Sequence, residues 1–331
     1  MSLGKAVGRF AVLAVSAALL AAPAQAQIFP VKLSGASGQV LRGGPMAVPA
    51  YQIAFFTQHQ GTAVGGVLTK ARLTTSLAGV DEATLRKLSE EAYQDLVTRL
   101  KAANVPLLPD DRVKAAIAAT GVELAPGNAE VTRIGAGITI GQSVKKAYAA
   151  FGAASAPAIA GLHNPGNPTG APGLNAISMN NRLGNAAKAE KAVLVFPSLV
   201  LDFARTDAKG GRDFLGRESA GINSDLAFTL SAVSSATVLA SAGDGRFVSP
   251  GWLRMTKDLT SPTPFATVAK GEGAVRALSV STVTDSNYID RDAARGDAVV
   301  VDVPVWTGLV RQAYGDFNAA LVAEIRKARG L

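Results

Sequence analysis

The chain of 331 residues contains no cysteine. This absence excludes disulfides, thiol catalysis and cysteine-based zinc sites, and we expect no lipid anchor of the kind that bacterial lipoproteins attach to a cysteine. Histidine is scarce too, with only His59 and His163, and aromatic residues make up 6% of the chain. The net charge of +8 comes from scattered Lys and Arg residues without interleaved aromatics. We therefore expect no nucleic-acid partner.

The first 26 residues have the three parts of a secretory signal peptide. Lys5 and Arg9 are positive, residues 10–22 form an apolar run, and the sequence AQA at 24–26 offers a cleavage site. The apolar run is shorter than the ~20 residues that cross a bilayer as a helix. We expect cleavage before Gln27 and a periplasmic location, with outer-membrane association that uses no lipid anchor. That compartment argues against NAD and ATP, and we expect no cofactor.

The remaining sequence predicts an extended N-terminal arm at 27–50, rich in Gly, Pro and Ser, and a single domain at 51–331. The fold class expected for this domain is α/β (α+β), a mixed sheet with flanking helices. Apolar periodicity, with Asp81 as a helix N-cap, predicts helices at 81–104, 110–121, 142–151 and 306–329. Alternating or β-branched runs predict strands at 51–57, 70–77, 105–108, 131–140, 192–205, 226–242, 246–254 and 299–305.

A long loop is predicted at 152–188, where Gly, Ala, Pro and Asn dominate and acidic residues are absent. Pro197 lies in the strongest strand and predicts an edge position or a bulge within that strand, because proline has no N–H for a ladder hydrogen bond. Trp306 and Tyr314 begin the last helix and are either interface anchors or ordinary core residues. The predicted interface residues are Pro197, Trp306 and Tyr314.

Three motifs approach chemical sites without matching them. Ser219 lies in a glycine-bounded segment, but Arg217 stands where a serine-esterase turn requires glycine. The glycines at 135, 137 and 141 miss the spacing of a dinucleotide loop, and no acidic residue follows ~20 positions on. A calcium loop would need a central glycine and a final glutamate, which are missing around Asp285, Asn287, Asp290 and Asp292. We predict no catalytic, cofactor-binding or metal-binding residues from these motifs.

Two segments together resemble a known family. Residues 95–113 (DLVTRLKAANVPLLPDDRV) run from a helix through a short apolar stretch to an acidic-Arg pair that opens the next helix. Residues 192–241 give a strand, a Gly-rich polar excursion at 207–224, a long strand and a tail of the form ATVLASA. This order is similar to the periplasmic α/β domain of the curli secretion channel (CsgG-like) family.

The resemblance implies a non-enzymatic component of envelope assembly or secretion that forms rings. Its partners would be copies of itself or other envelope proteins. The alternative is a periplasmic ligand-binding protein or a hydrolase that uses carboxylates from the loops at 152–188 and 207–224. Carboxylate separation, which would identify such a hydrolase, is not readable from the sequence.

Overall fold

The computed structural model describes residues 30–35, 38–65, 69–124, 130–139, 142–159, 161–163, 165, 174–212, 217–240, 250–270 and 296–331. In this part of the chain, 13 strands form one mixed sheet with helices packed on it, which confirms the predicted mixed α/β class. The helices are α1 (Glu82–Ala102), α2 (Asp110–Ala118), α3 (Leu174–Ala189) and α4 (Val303–Arg329). The strands are β1 (Leu33–Ser34), β2 (Met46–Ala47), β3 (Gln52–Val64), β4 (Lys70–Ala78), β5 (Glu130–Thr139), β6 (Gln142–Gly152), β7 (Val193–Arg212), β8 (Glu218–Leu230), β9 (Ser235–Ala240), β10 (Pro250–Met255), β11 (Leu259–Ser261), β12 (Ala266–Ala269) and β13 (Asp297–Val301).

Helices α1 and α4 form where the sequence predicts them. The Asp81 side chain accepts a hydrogen bond from Thr84 N at 2.8 Å, which fixes the start of α1. Asp302 caps α4 in the same way, and Gly330 ends it in the left-handed conformation with φ 69°. The two helices pack against each other on one face of the sheet. The predicted apolar stripe of α1, which includes Leu96, is buried.

Strand β7 places two hydrophobic cores on opposite faces of the sheet. Val193 and Val195 belong to the core under α1 and α4, whereas Leu194 and Phe196 belong to the core that contains residues of α2 and α3. Alternate side chains of a strand point to opposite faces, so this part of the molecule is a three-layer sandwich of helices, sheet and helices.

The sheet divides at β3. Residues 52–55 of β3 pair in parallel with β7, but residues 58–64 pair with β4 instead, while β6 follows the other edge of β3 along both parts. Beyond this division β7 pairs with β8, and the β7–β8 hairpin lies across β3, β4 and β6 as a second layer. The layers approach closely, because a Cβ atom on Gly210 would lie 2.6 Å from the Val64 carbonyl oxygen.

Several predicted elements are wrong in whole or in part. Residues 105–108, predicted as a strand, form only an isolated bridge between Leu107 and Met46. Residues 142–151, predicted as a helix, form strand β6 between β5 and β3. The excursion at 207–224 is regular β-hairpin on both sides of residues 213–216. The predicted strand at 226–242 is two strands, β8 and β9, which are separated by residues 231–234. The predicted loop at 152–188 is also wrong in its second half, where α3 begins at Leu174.

The edge position predicted for Pro197 is wrong as well. β7 is an interior strand, with β2 and β3 on one side and β8 and β9 on the other. Val193 N donates to Pro45 O, and N–H directions alternate along a strand, so the nitrogen of Pro197 faces that same side. On that side β2 has ended at Ala47 and β3 pairs only from Gln52 onward. The missing N–H therefore removes no ladder hydrogen bond.

Candidate functional site

A buried polar cluster lies between the two sheet layers. We define the interlayer cluster as His59 on β3, Lys146 on β6, Asp202 and Thr206 on β7, and Ser224 on β8. His59 Nδ1 lies 2.9 Å from Thr206 Oγ1, and Thr206 Oγ1 lies 3.0 Å from Ser224 Oγ. Asp202 Oδ2 accepts a hydrogen bond from Lys146 Nζ at 2.7 Å, and Asp202 Oδ1 lies 2.8 Å from His59 Nε2. The cluster thus joins four strands from two layers.

Local backbone geometry positions the Asp202 carboxylate. The register of β7 against β8 shifts between Asp202 and Ala204, which is the signature of a bulge. Asp202 Oδ1 accepts a hydrogen bond from Phe203 N at 2.8 Å, so the side chain satisfies a backbone donor that the bulge removes from the ladder. Lys146 lies over the Phe56 ring, 5.1 Å from its centroid. The Asp202 carboxylate is therefore held by the backbone of its own strand and by Lys146 from the other layer.

Burial and charge set the ionisation of the cluster. Burial alone would raise the pKa of Asp202, but His59 and Lys146 hold that pKa well below its usual range. Burial lowers the pKa of His59, and neighbouring Asp202 offsets only part of the effect. An ionised Asp202 can only accept, so the neutral imidazole carries its proton on Nε2. Nδ1 then accepts from the Thr206 hydroxyl, which in turn accepts from Ser224.

The order of groups in the cluster is hydroxyl, imidazole and carboxylate, as in a nucleophilic triad. Its geometry does not suit that chemistry. Thr206 is only 9% exposed, and the cavity beside Asp202 and Phe203 measures about 10 Å³, room for one water molecule. His59 Nε2 lies 2.8 Å from Asp202 Oδ1, but this contact lacks the alignment of a hydrogen bond. What the cluster does is fasten the two layers together.

A small cleft lies elsewhere, between β2, α1 and the start of α2. Its volume is about 220 Å³, and its lining combines apolar side chains with Tyr93, Lys101 and Asp110. Tyr93 donates a hydrogen bond from its hydroxyl to Asp110 Oδ2 at 2.9 Å at the rim. Burial, together with Asp110, raises the pKa of Tyr93, so the phenol stays protonated. Asp110 is the one carboxylate among the described lining residues, so this cleft does not offer the pair that a glycosidase needs.

The residues that the sequence suggested as an interface lie inside the chain. Trp306 is 2% exposed and stacks at 5.7 Å against Phe55, and Tyr314 is also buried. Burial raises the pKa of Tyr314 to about 12. Pro197 is buried in β7. All three side chains are therefore buried in the core of a single chain. A role for them in an interface between chains stays a prediction.

The motif residues are scattered. Ser219 is exposed on β8, and both histidines precede it in the chain, whereas an α/β-hydrolase places its histidine after the serine. The glycines at 135 and 137 lie on β5, and the glycine at 141 lies outside the described residues. The acidic cluster at 285–292 lies outside the described residues. Among the residues that are described, no three His, Cys, Asp or Glu side chains come together as a metal site.

A scan against protein-family models and searches of curated proteins and of solved structures return no match for this chain. In the part of the chain that the structure describes, no helix combines the length and the apolar character needed to cross a membrane.

The interlayer cluster is difficult to predict from the sequence. His59 and Asp202 are far apart in the chain and belong to no local motif. One signal exists, since His59 interrupts a β-type segment in a chain with two histidines. A buried strand position is costly for a polar ring unless partners are provided, so partners from another strand were to be expected.

Proposed function

We propose that the chain is a non-enzymatic component of envelope assembly or secretion with a CsgG-like periplasmic domain. In this proposal it is exported through a cleaved signal peptide, associates with the outer membrane and assembles with copies of itself into rings. The single observation that carries the proposal is a set of three hairpins that extend past the helix-covered part of the sheet and end together.

The convergence of the hairpins follows from their pairing. Ala63 of β3 pairs with Gln142 of β6, and Val64 pairs with Lys70 of β4, so the described ends of these strands lie side by side. A Cβ atom on Gly65, just after β3, would lie 2.3 Å from the carbonyl oxygen of Ser219 on β8. The described ends of β3, β6 and β8 therefore lie close together. Projecting strands of this kind offer backbone edges to neighbours rather than a cleft to a substrate.

The polar groups of the interlayer cluster fit this proposal better than catalysis. Each residue has at least one hydrogen-bond partner within the cluster, and the cavity beside Asp202 has room for about one water molecule. The excursion at 207–224, which is part of the segment that resembles the CsgG-like family, lies on β7 and β8. The cluster and the hairpin both support a structural role in which the protein contacts other chains.

Localisation and self-assembly can be tested together on the full chain. Expressed in a bacterium with its leader intact, the protein should be recovered from the periplasmic or outer-membrane fraction and should begin at Gln27 by mass spectrometry. Sedimentation velocity at micromolar concentration should give one oligomeric species. A protein that retains Met1 in the cytoplasm, or that stays monomeric at all concentrations and in mild detergent, would overturn the proposal.

A periplasmic ligand-binding protein is the second candidate, and the cleft beside Tyr93 favours it. The apolar part of the lining, together with Lys101 and the Tyr93–Asp110 pair, suits a small ligand that has both apolar and polar groups. The volume, about 220 Å³, limits that ligand to roughly the size of one amino acid. Val97→Trp, which would fill the cleft, should abolish ligand binding in this case and leave an assembly component unaffected.

A further inference from the structure

Strand β5 forms a long open edge of the sheet. It is 10 residues long, and among the strands that the structure describes it pairs with β6 alone. The other terminal strands of the sheet are short, with 2 residues in β1, 3 in β11 and 4 in β12. Soluble proteins protect sheet edges by keeping them short, by placing proline or charged residues on them, or by a β-bulge. β5 has no proline or lysine, but it carries Glu130 and Arg133, and its pairing with β6 shifts register between Ala136 and Thr139. Residues 130–136 before that shift form a regular edge to which another strand could add.

Strand β8 has an open edge of matching length. Its last three residues pair with β11, and residues 218–227 have β7 as their one hydrogen-bonded neighbour among the described strands. Two other open stretches suit β5 less well. The open stretch of β4 at 70–74 is half as long, and the open edge of β7 beyond Leu201 runs in the same direction as β5.

Strand directions determine how β5 and β8 could meet. β5 is antiparallel to β6, which is antiparallel to β3, so β5 and β3 run the same way. β3 is parallel to β7, and β8 is antiparallel to β7. β5 therefore runs toward the hairpin tips and β8 runs away from them. A rotation about an axis along the hairpins preserves these directions, so β5 of one copy would meet β8 of the next in the antiparallel arrangement that sheets use most often.

We propose that β5 of one chain pairs antiparallel with residues 218–227 of β8 in the next chain. The inference rests on the self-assembly in the proposed function and names its contact. Because the two surfaces differ, the contact is head-to-tail and generates a closed ring or an open filament. It keeps every hairpin tip on one face of the assembly. A symmetric β5–β5 contact would instead point the tips of the two chains in opposite directions.

The natural lack of cysteine makes this contact testable by disulfide trapping in the full chain. Thr132→Cys and Arg133→Cys cover both side-chain directions of β5, and Asn223→Cys and Asp225→Cys lie at exposed positions of β8. Mild oxidation of a chain that carries one cysteine on each strand should give a ladder of covalent multimers on a non-reducing gel. A mixture of two single variants, one per strand, should stop at the dimer.

Lys87→Cys on α1 is the matched control, since its side chain is 72% exposed and lies away from both strands. Paired with Asn223→Cys it should give no ladder. An oligomer by sedimentation that forms no β5–β8 disulfide at any of the four combinations would overturn this contact while leaving self-assembly intact. Covalent dimers from Thr132→Cys or Arg133→Cys alone would show a symmetric contact and overturn it too. A monomer would contradict the proposed function itself.

Discussion

Removing the charge of Asp202 should loosen the second sheet layer. Asp202→Asn keeps the size of the side chain and an oxygen that can accept from Phe203 N, but it loses the ion pair with Lys146. Breaking a buried pair typically costs ~3–5 kcal/mol, whereas an exposed pair contributes about 0–1 kcal/mol. The Asp202 side chain is 9% exposed and that of Lys146 is 25% exposed. Because Lys146 can turn partly toward water, we expect a loss of about 2–4 kcal/mol.

Urea unfolding followed by the fluorescence of Trp252 and Trp306 measures this loss. With a slope of about 2 kcal/mol per molar urea, the midpoint should fall by roughly 1–2 M. Asp207→Asn on the same strand is the matched control, because its contact with Arg205 spans 3.9 Å between side chains that are 55% and 79% exposed. That control should change the free energy of unfolding by less than ~0.5 kcal/mol. Equal effects of the two substitutions would refute the clamping role of Asp202.

Three further predictions concern the core, the layer contact and pH. Leu96→Ala should cost about 2–5 kcal/mol of unfolding free energy, since Leu96 is fully buried, and a change below ~0.5 kcal/mol would contradict its place in the core. Gly210→Ala should destabilise by about 1–3 kcal/mol because its methyl group would meet backbone, whereas Gly211→Ala, with open space around it, should be near neutral; equal urea midpoints would argue against the close layer contact. His59 binds its proton less readily when folded, so the unfolded state gains protons first and stability should fall as pH drops below about 6.5. His163, whose pKa burial lowers to about 4, adds to the same loss, and His59→Gln should reduce the slope of unfolding free energy between pH 7 and 5; an unchanged slope would show that His59 does not contribute.

The sequence predicts elements well where local and tertiary preferences agree. α1 has its cap at Asp81 and its apolar stripe, and α4 has basic residues in its last turn, so both appear where the pattern indicates. The helix predicted at 142–151 is wrong for the opposite reason. Lys145, Lys146 and Ala147 favour a helix locally, but pairing with β3 on one edge and β5 on the other makes this segment strand β6.

The second layer is hidden from the sequence for a different reason. Thr206 and Ser224 face the interior of the layers, and Gly210 allows backbone to approach backbone. Polar and glycine residues at such positions remove the apolar alternation from which strands are predicted. The interlayer cluster is missed for the same reason, since its members meet only through strand pairing between distant segments.

The division of the sheet at β3 also sets the order in which the chain can fold. Gln52 on β3 bonds Ser198 on β7, 146 positions later, and Tyr51 bonds Asn318, 267 positions later. Contacts of such separation are slow to form, because long loops must close before any contact stabilises them. Because a chain is synthesised from its N-terminus, β3 is made long before β7 and α4, which supply its partners. Until α4 has been synthesised, the chain therefore lacks contacts that complete its first long strand.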